Sequence, residues 1–187
     1  MSYHHLILLA VALLRGWELA YSWRQLRAAQ TEGTAVPIPE PIYPVMVAVH
    51  AGWLSGSLLE TWLRAYPFPG ALFLPALLLW MAALALRFWV LAVMQEHWNV
   101  RLIERTRQPV VTAGPFRLVR HPNYVAVIVE IAVVPLLLGA YVTAALGSLA
   151  NGLVLAWRIR REEAYLLGVP EYRAAFEHKK RLIPGVF

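Results

Sequence analysis

Two polar clusters in the second half of the chain carry residue types that could do chemistry. The first cluster follows a Gly-Pro turn at Gly114 and ends in His121-Pro122-Asn123-Tyr124. Pro122 suits the first turn of a helix, whose free N–H groups and positive dipole end could hold a carboxylate or a phosphate. His121 and Tyr124 are three residues apart and can share a helix face. The same residues equally suit an interfacial loop with arginine anchors.

The second cluster is the run Arg158-Ile159-Arg160-Arg161-Glu162-Glu163. Arg158 and Glu162 are four residues apart, which places them on one face of a helix. An arginine fork can pair with an anionic oxygen of an acceptor, and a carboxylate can accept hydrogen bonds from ammonium or hydroxyl groups. Taken by itself, the run is better explained as a solvated helix with an internal ion pair.

Membrane helices must position these clusters. Of the 187 residues, 59% are hydrophobic and 15% are charged, whereas ordinary soluble domains carry about 25% charged residues. A membrane-spanning helix needs about 20 mostly apolar residues. We therefore predict an all-α integral membrane protein with five spans. They cover residues 3–23, 42–63, 70–94 and, as a tight helical hairpin bent at Pro135 and Gly139, residues 124–157.

A single membrane domain over residues 1–187 follows from these spans. Residues 1–95 would supply three helices, and residues 96–187 a loop, the hairpin and a C-terminal amphipathic helix. The chain carries 17 Lys and Arg residues against 11 acidic ones, and most of these cations fall on one side of the predicted spans. The positive-inside rule then places the C-terminus and the long loop in the cytosol. The basic tail is interpreted as contacting membrane lipids, and no nucleic-acid partner is predicted.

Cysteine is absent from the chain. Disulfides, thiolate zinc sites, iron–sulfur clusters and cysteine nucleophiles are thereby excluded. No metal site is predicted.

Together, the two clusters resemble those of the isoprenylcysteine carboxyl methyltransferase family of integral membrane enzymes. In that family a stretch like Gly-Pro-Phe-Arg-Leu-Val-Arg-His-Pro-Asn-Tyr is followed, past a helical hairpin, by Arg-x-x-x-Glu-Glu. Both motifs occur here in that order, between Gly114 and Glu163. Two positions depart from the family pattern, because Ala126 replaces a common glycine and Phe116 replaces a common tyrosine.

The N-terminal half is similar to small bacterial relatives that accompany type III polyketide synthases and methylate alkylpyrones. The residues that carry this softer likeness are Arg15-Gly16-Trp17-Glu18, Tyr43-Pro44, His50 and Glu60.

The resemblance implies S-adenosylmethionine as the cofactor, held in a cytosol-facing pocket. Arg158 matches the family's arginine placed toward the acceptor, so Arg158 and Glu162 are the implied catalytic residues. Aromatic faces suit the sulfonium cation of this cofactor. The positions implied to bind it are Gln108, Val110, Val111, Phe116, His121, Pro122, Asn123, Tyr124 and Glu162.

Ionisable residues inside membrane spans are costly and are functional candidates by default. We predict that such residues surround the polar head of the acceptor, with a structural network of ion pairs between helices as an equal alternative. The residues assigned to the acceptor are Arg15, Glu18, His50 and Glu130, and Arg87 is a further intramembrane candidate. Glu60 and Arg64, at the outer end of the second span, are interpreted as a structural pair.

The motif Gly52-x-x-x-Gly56 on the second span permits close helix contact. Such a contact would lie within the chain or form the seam of a homodimer.

The resulting hypothesis is an S-adenosylmethionine-dependent O-methyltransferase in a bacterial cell membrane, acting on a lipophilic acceptor. An alkylpyrone-type polyketide is the first acceptor predicted, an isoprenylcysteine carboxylate the second and a phospholipid amine the third. An NADPH-dependent sterol-type reductase is the alternative from another reaction class, because such membrane reductases share a similar His-Pro-Asn-Tyr segment. A non-catalytic membrane assembly factor is the third hypothesis. The Arg-x-x-x-Glu-Glu motif and the short chain favour the methyltransferase.

Overall fold

The computed structural model describes residues 2–65, 68–105 and 110–183. Within these ranges the chain forms six α-helices and two short strands. In chain order they are α1 (Tyr3–Thr31), β1 (Ala35–Pro37), α2 (Tyr43–Leu63), α3 (Phe73–Met94), β2 (Ile103–Arg105), α4 (Pro122–Leu137), α5 (Tyr141–Leu166) and α6 (Pro170–Phe176).

The long helices have the length and composition of membrane helices. Three described segments are long and apolar enough to cross a bilayer, namely Tyr3–Thr31, Gly70–His97 and Tyr141–Leu166. Helix α4 is apolar but shorter, and α2 occupies the second predicted span. Large apolar side chains such as Leu13 and Leu153 point outward and are more than half exposed, as expected where lipid replaces water. The chain is therefore a helical membrane protein, and the count of five spans stays a prediction.

The predicted hairpin is present between α4 and α5. Pro135 lies in the last turn of α4, where a proline weakens further helix propagation. Gly139 then adopts a φ of +69°, a left-handed conformation that glycine reaches without steric cost. The chain reverses within a few residues, so that the two polar clusters at the far ends of α4 and α5 come together.

Helix α2 holds this hairpin in place. The Glu60 carboxylate accepts hydrogen bonds from the backbone N–H groups of Val142 (3.0 Å) and Thr143 (2.7 Å), which caps the N-terminus of α5. Arg64 pairs with Glu60 at 3.5 Å and donates to the Gly139 carbonyl at 3.1 Å. The predicted structural pair is confirmed, and it also fixes the hairpin turn.

The apolar core lies among α1 to α4. Trp53, Trp80 and Ile131 are buried in it, and the Trp53 indole N–H donates to the Ile131 carbonyl at 3.0 Å. One glycine of the predicted small-residue motif contributes to packing within the chain, because a Cβ on Gly56 would lie 3.3 Å from the Thr143 hydroxyl oxygen. Around Gly52 no described atom lies within 4 Å of such a Cβ. A homodimer through these glycines stays a prediction.

Three features differ from the sequence-based expectation. Helix α1 continues past the predicted end at Trp23 to Thr31, because hydropathy marks the lipid-crossing part of a helix and not its last hydrogen bond. The all-α expectation also omitted an antiparallel pairing of β1 with β2, in which Val36 faces Glu104. The C-terminal helix α6 has only seven residues, and the chain beyond it runs without regular structure to residue 183.

Candidate active site

A cavity of about 340 Å³ lies among the helices. This volume falls in the range of small-molecule sites, roughly 300–1,000 Å³. All six helices contribute side chains to its wall, and so do the segments around β2 and before α4. The cavity is therefore built by the whole fold.

Most of the predicted site residues line this cavity. Those in its wall are Arg15, Glu18, His50, Val110, Val111, Phe116, His121, Pro122, Asn123, Tyr124, Arg158 and Glu162. Glu130 lies instead in the wall of a smaller neighbouring pocket, together with Arg15 and His50. Gln108, also predicted to bind the cofactor, lies outside the described residues. The fold thus brings both sequence clusters and the charged residues of α1 to one place, and the role of each residue stays a prediction.

Tyr124 connects the two sequence clusters. Its hydroxyl donates a short hydrogen bond to the Glu162 carboxylate and accepts one from Nε of Arg158 at 2.9 Å. Its ring stacks on the His121 ring with the centroids 5.3 Å apart. Arg158 and Glu162 on α5 are therefore both hydrogen-bonded to the first turn of α4 through the phenol oxygen of Tyr124.

Arg158 is buried and held from several sides. One terminal nitrogen donates to the Val100 carbonyl at 2.6 Å, and the other lies 2.9 Å from the Met46 sulfur and 3.5 Å from the Glu40 carboxylate. The hydrogen bonds to Val100, Met46 and Tyr124 use three of the five N–H donors of a guanidinium, and the Glu40 carboxylate lies near a fourth. One donor is then left for a group in the cavity.

Glu163 anchors His121 from behind. Its carboxylate accepts from Nε2 of His121 at 3.2 Å, from Arg120 at 3.1 Å and from Arg181 at 2.8 Å. Since a carboxylate only accepts hydrogen bonds, Nε2 of His121 must carry a hydrogen. The histidine ring is thereby fixed in one orientation at the cavity wall.

Residues 177–181, here called the C-terminal strap, pass across the loop that precedes α4. The backbone N–H groups of Arg120 and His121 donate to the carbonyls of Lys180 (2.9 Å) and Arg181 (3.0 Å). The Arg120 side chain donates to two further strap carbonyls, and Lys179 donates to the Phe116 carbonyl at 2.9 Å. Although the strap has no regular structure, it fixes the first cluster to the end of the chain.

Asn123 leaves a polar atom unpaired at the cavity. Its Oδ1 is fully buried and has no hydrogen-bond partner among the described residues. Leaving a buried acceptor without a donor costs about 1–3 kcal/mol, so this oxygen is suited to accept a hydrogen bond from a ligand or a water. Tyr172, on α6, also lines this cavity. Burial raises the pKa of Tyr172, and the carboxylates of Glu162 and Glu163 raise it further, so its hydroxyl stays protonated.

Four charged side chains form a network deeper among the helices, here called the ion-pair network. Arg15 lies 2.8 Å from Glu18 on α1 and 3.2 Å from Glu130 on α4. Arg87 on α3 lies 3.2 Å from Glu18 and makes a short contact with Glu130. The predicted pairing of Arg15 with Glu18 is confirmed. Two cations and two anions compensate one another here, which is how buried charges are tolerated.

Glu40 was not among the predicted site residues, and no role was predicted for Glu163. Glu40 is buried and accepts from the Leu102 backbone N–H at 2.8 Å, but it lies far from Arg158 along the chain and no local pattern marks it. The sequence did contain a signal for Glu163, because the motif has two adjacent glutamates. Adjacent residues of a helix point in different directions, so the two glutamates must face different sides of α5. Only the fold shows which side faces the cavity wall.

Two comparisons with known proteins match the sequence of this chain. A relative from Bacillus subtilis (strain 168), the uncharacterized protein YpbQ, is 29% identical over 161 residues, which cover 86% of this chain and 95% of that protein. Residues 76–168, which include α4, most of α3 and all of α5, match the model of the isoprenylcysteine carboxyl methyltransferase family. Through this segment, which carries both site motifs, the chain belongs to the isoprenylcysteine carboxyl methyltransferase family.

Proposed function

We propose that the protein is an S-adenosylmethionine-dependent O-methyltransferase whose acceptor is a lipophilic molecule dissolved in the membrane. Membership in the family implies a membrane methyltransferase that uses this cofactor. The observation that carries the proposal is the shared cavity, whose wall contains both the motif residues and charged residues of the ion-pair network. Such a cavity brings the residues assigned to the cofactor and those assigned to the acceptor to one place.

Residues of both clusters fit the chemistry of the cofactor. The cofactor has hydrogen-bond donors in its ammonium, ribose hydroxyl and adenine amino groups. The unpaired Oδ1 of Asn123 and the Glu162 carboxylate are acceptors at the cavity wall. The rings of Phe116 and Tyr124 offer the aromatic faces that a sulfonium prefers. We therefore assign these residues to cofactor binding, with His121 as a wall that Glu163 holds in place.

The remaining wall suits an acceptor with an apolar body and one polar group. Val127, Val154 and Leu155 contribute apolar surface, and Arg158 and Arg15 contribute cations. When bound, the cofactor supplies a methyl group on a cationic sulfur. The contribution of the protein is to align the acceptor oxygen with that methyl group and to exclude water, and alignment alone can account for a large part of a rate enhancement.

The acceptor is assigned by its chemistry. A long-chain hydroxypyrone is the first candidate, because a planar oxygen-rich head fits between cations while an alkyl chain fits the apolar wall. An isoprenylcysteine carboxylate ranks second. A phospholipid amine ranks third, because an ammonium group must lose a proton and would meet Arg158 and Arg15 as like charges.

Sidedness and assembly belong to the same proposal. We place the C-terminal strap and the cofactor side of the cavity in the cytosol, on the strength of the positive-inside rule. We treat residues 1–187 as one membrane domain, because the cavity wall draws on every helix.

The proposal is tested by methyl transfer in detergent micelles. Purified protein receives methyl-labelled S-adenosylmethionine with a long-chain 4-hydroxy-2-pyrone, a farnesylated cysteine derivative or a phosphatidylethanolamine. We expect label on the pyrone oxygen, and little transfer by Glu162→Ala. A matched control is Glu171→Ala, since Glu171 is exposed on α6. Labelling of the amine lipid alone would replace O-methylation by N-methylation, and absence of any transfer together with absence of cofactor binding would overturn the proposal.

A further inference from the structure

His50 presents an unprotonated nitrogen to the cavity. Its Nδ1 lies 2.9 Å from the Met46 carbonyl oxygen, one turn earlier on α2. Since a carbonyl oxygen only accepts hydrogen bonds, Nδ1 must carry the hydrogen, and Nε2 of the neutral ring then holds a lone pair. The ring of His50 forms part of the cavity wall. The backbone of α2 therefore selects the tautomer in which the outer nitrogen is a base.

Neighbouring groups leave this nitrogen free. Within the described part of the chain, Nε2 of His50 has no hydrogen-bond partner. The charged groups that face His50 are Arg15 and Glu18 from α1, Arg87 from α3 and Glu130 from α4. In the ion-pair network each of these cations already contacts both carboxylates. The network is thus internally neutral, and it does not bind the imidazole.

Met46 connects this nitrogen to the site of methyl transfer. The Met46 carbonyl accepts from His50, and the Met46 sulfur contacts Arg158 at 2.9 Å. Arg158 in turn donates to the Tyr124 hydroxyl. The free nitrogen therefore shares one cavity with the residues assigned to the cofactor and with the cation assigned to the acceptor.

We propose that Nε2 of His50 accepts the proton of a neutral acceptor hydroxyl during methylation. The inference rests on the proposed function. The hydroxyl oxygen bonds to the methyl carbon, its proton passes to Nε2, and the methyl–sulfur bond breaks with its electron pair left on sulfur. The resulting imidazolium then loses the proton to water, which regenerates the neutral ring.

This role specifies the class of acceptor. An ionised carboxylate has no proton to give, so a base would add nothing to its methylation. A phenol or enol that is still protonated at neutral pH gains most from a base, and general base catalysis is typically worth about 10²–10⁴-fold. The base therefore widens the acceptor class from oxygens that are already ionised, such as that of the hydroxypyrone, to weakly acidic hydroxyls on a lipophilic body.

The first test compares two acceptors in the wild-type protein and in His50→Asn. The asparagine amide can keep the hydrogen bond to the Met46 carbonyl but cannot take up a proton. The probes are a long-chain 4-hydroxy-2-pyrone, which is already ionised near neutral pH, and a long-chain alkylphenol, which is not. We expect turnover of the phenol to fall about 100-fold in His50→Asn and turnover of the pyrone to change little.

The pH profile separates a base from a structural residue. In the wild-type protein the rate with the phenol should fall as the pH is lowered, because protonated His50 has no lone pair. In His50→Asn the inflection due to His50 should be absent, and the residual rate should instead follow the ionised fraction of the phenol over the whole pH range. A matched control is His178→Asn, since the side chain of His178 is 90% exposed, and its profile should match the wild type.

A second test needs no turnover. S-adenosylhomocysteine has no methyl group to give, so its complex with a long-chain nitrophenol is a dead end. At a pH where the free probe is protonated, we expect the bound probe to show phenolate absorbance with the wild-type protein and not with His50→Asn. His50→Gln serves as the second variant if His50→Asn does not fold.

The outcomes distinguish this inference from the proposed function. Four results would each refute the role of His50 as a base, while the proposed methyl transfer itself would stand. They are equal losses with both acceptors, no loss with either acceptor, methylation of the pyrone but not of the phenol by the wild type, and a bound nitrophenol that stays protonated. Failure of the wild-type protein to bind S-adenosylhomocysteine would overturn the proposed function as well.

Discussion

Single residues in this protein act through the contacts that fix them. Glu163 is the clearest case, because its one carboxylate is shared among Arg120, His121 and Arg181. It thereby joins α5, the loop before α4 and the C-terminal strap. Its neighbour Glu162 faces the cavity and Tyr124 instead. Two adjacent glutamates of one motif therefore have different tasks, one toward the ligand and one toward the scaffold.

Glu163→Gln should weaken cofactor binding without abolishing the cavity. Glutamine keeps the shape and one hydrogen bond but leaves two arginines without their counter-charge. We expect the Kd of S-adenosylhomocysteine to rise about tenfold, which corresponds to about 1.4 kcal/mol, and the thermal midpoint in detergent to fall. Calorimetry of the variant beside Glu171→Gln, an exposed glutamate on α6, measures this. An unchanged Kd would show that the Glu163 carboxylate does not position His121 for cofactor binding.

At the scale of elements, the sequence predicted the features that depend on composition and on the positions of proline and glycine. Apolar length indicated the helices, and Pro135 and Gly139 indicated the hairpin. The pairing of β1 with β2 could not be predicted, because three residues are too few for an alternating pattern to be detected. The contacts of Glu40 and Glu163 depend on partners distant in sequence, which no local pattern contains. Residue types and short spacings thus located the candidate site, and tertiary packing decides which atoms face it.

The turn before Phe116 shows how tightly an element is fitted to the site. Gly114 has a φ of +58°, and a Cβ there would lie 2.7 Å from Cγ2 of Val93 and 3.0 Å from Nε1 of Trp89, both on α3. Gly33 has a similar φ of +67°, but no described atom lies within 4 Å of its Cβ position. The two glycines therefore share the backbone constraint and differ in the space around them.

Gly33→Ala and Gly114→Ala should separate these two effects. Each alanine bears the cost of left-handed backbone, about 1–2 kcal/mol. Gly114→Ala bears in addition the cost of overpacking, typically about 1–3 kcal/mol, and should displace Phe116. We expect a larger fall of the thermal midpoint and weaker binding of S-adenosylhomocysteine for Gly114→Ala alone. Equal behaviour of the two variants in both measurements would contradict the fit between this turn and α3.

At the scale of the whole molecule, charged side chains act in two places, inside the helical bundle and outside it. The ion-pair network joins α1, α3 and α4 inside the helical bundle. Removing one partner of such a buried set typically costs about 3–5 kcal/mol. Outside the bundle, the excess of Arg and Lys predicts the orientation through the positive-inside rule. Charged side chains thus join the helices to one another and, in the proposed orientation, direct insertion.

The proposed orientation can be read by labelling single cysteines, because the natural chain has none. We expect Phe68→Cys, at an exposed position in the turn between α2 and α3, to react with a membrane-impermeant maleimide in intact cells. His178→Cys in the strap should react only after permeabilisation. The cysteine-free parent controls for background labelling. The reverse pattern would place the strap outside and contradict the predicted sidedness.

The most direct measurement is a calorimetric titration of the purified protein in detergent with S-adenosylhomocysteine and, separately, with NADPH. We predict saturable binding of S-adenosylhomocysteine alone, lost in Glu162→Ala and kept in Glu171→Ala. Binding of NADPH alone would contradict the assignment of the cavity to S-adenosylmethionine and point to reductase chemistry. Binding of neither ligand would contradict an enzymatic role for this cavity and favour a non-catalytic membrane protein.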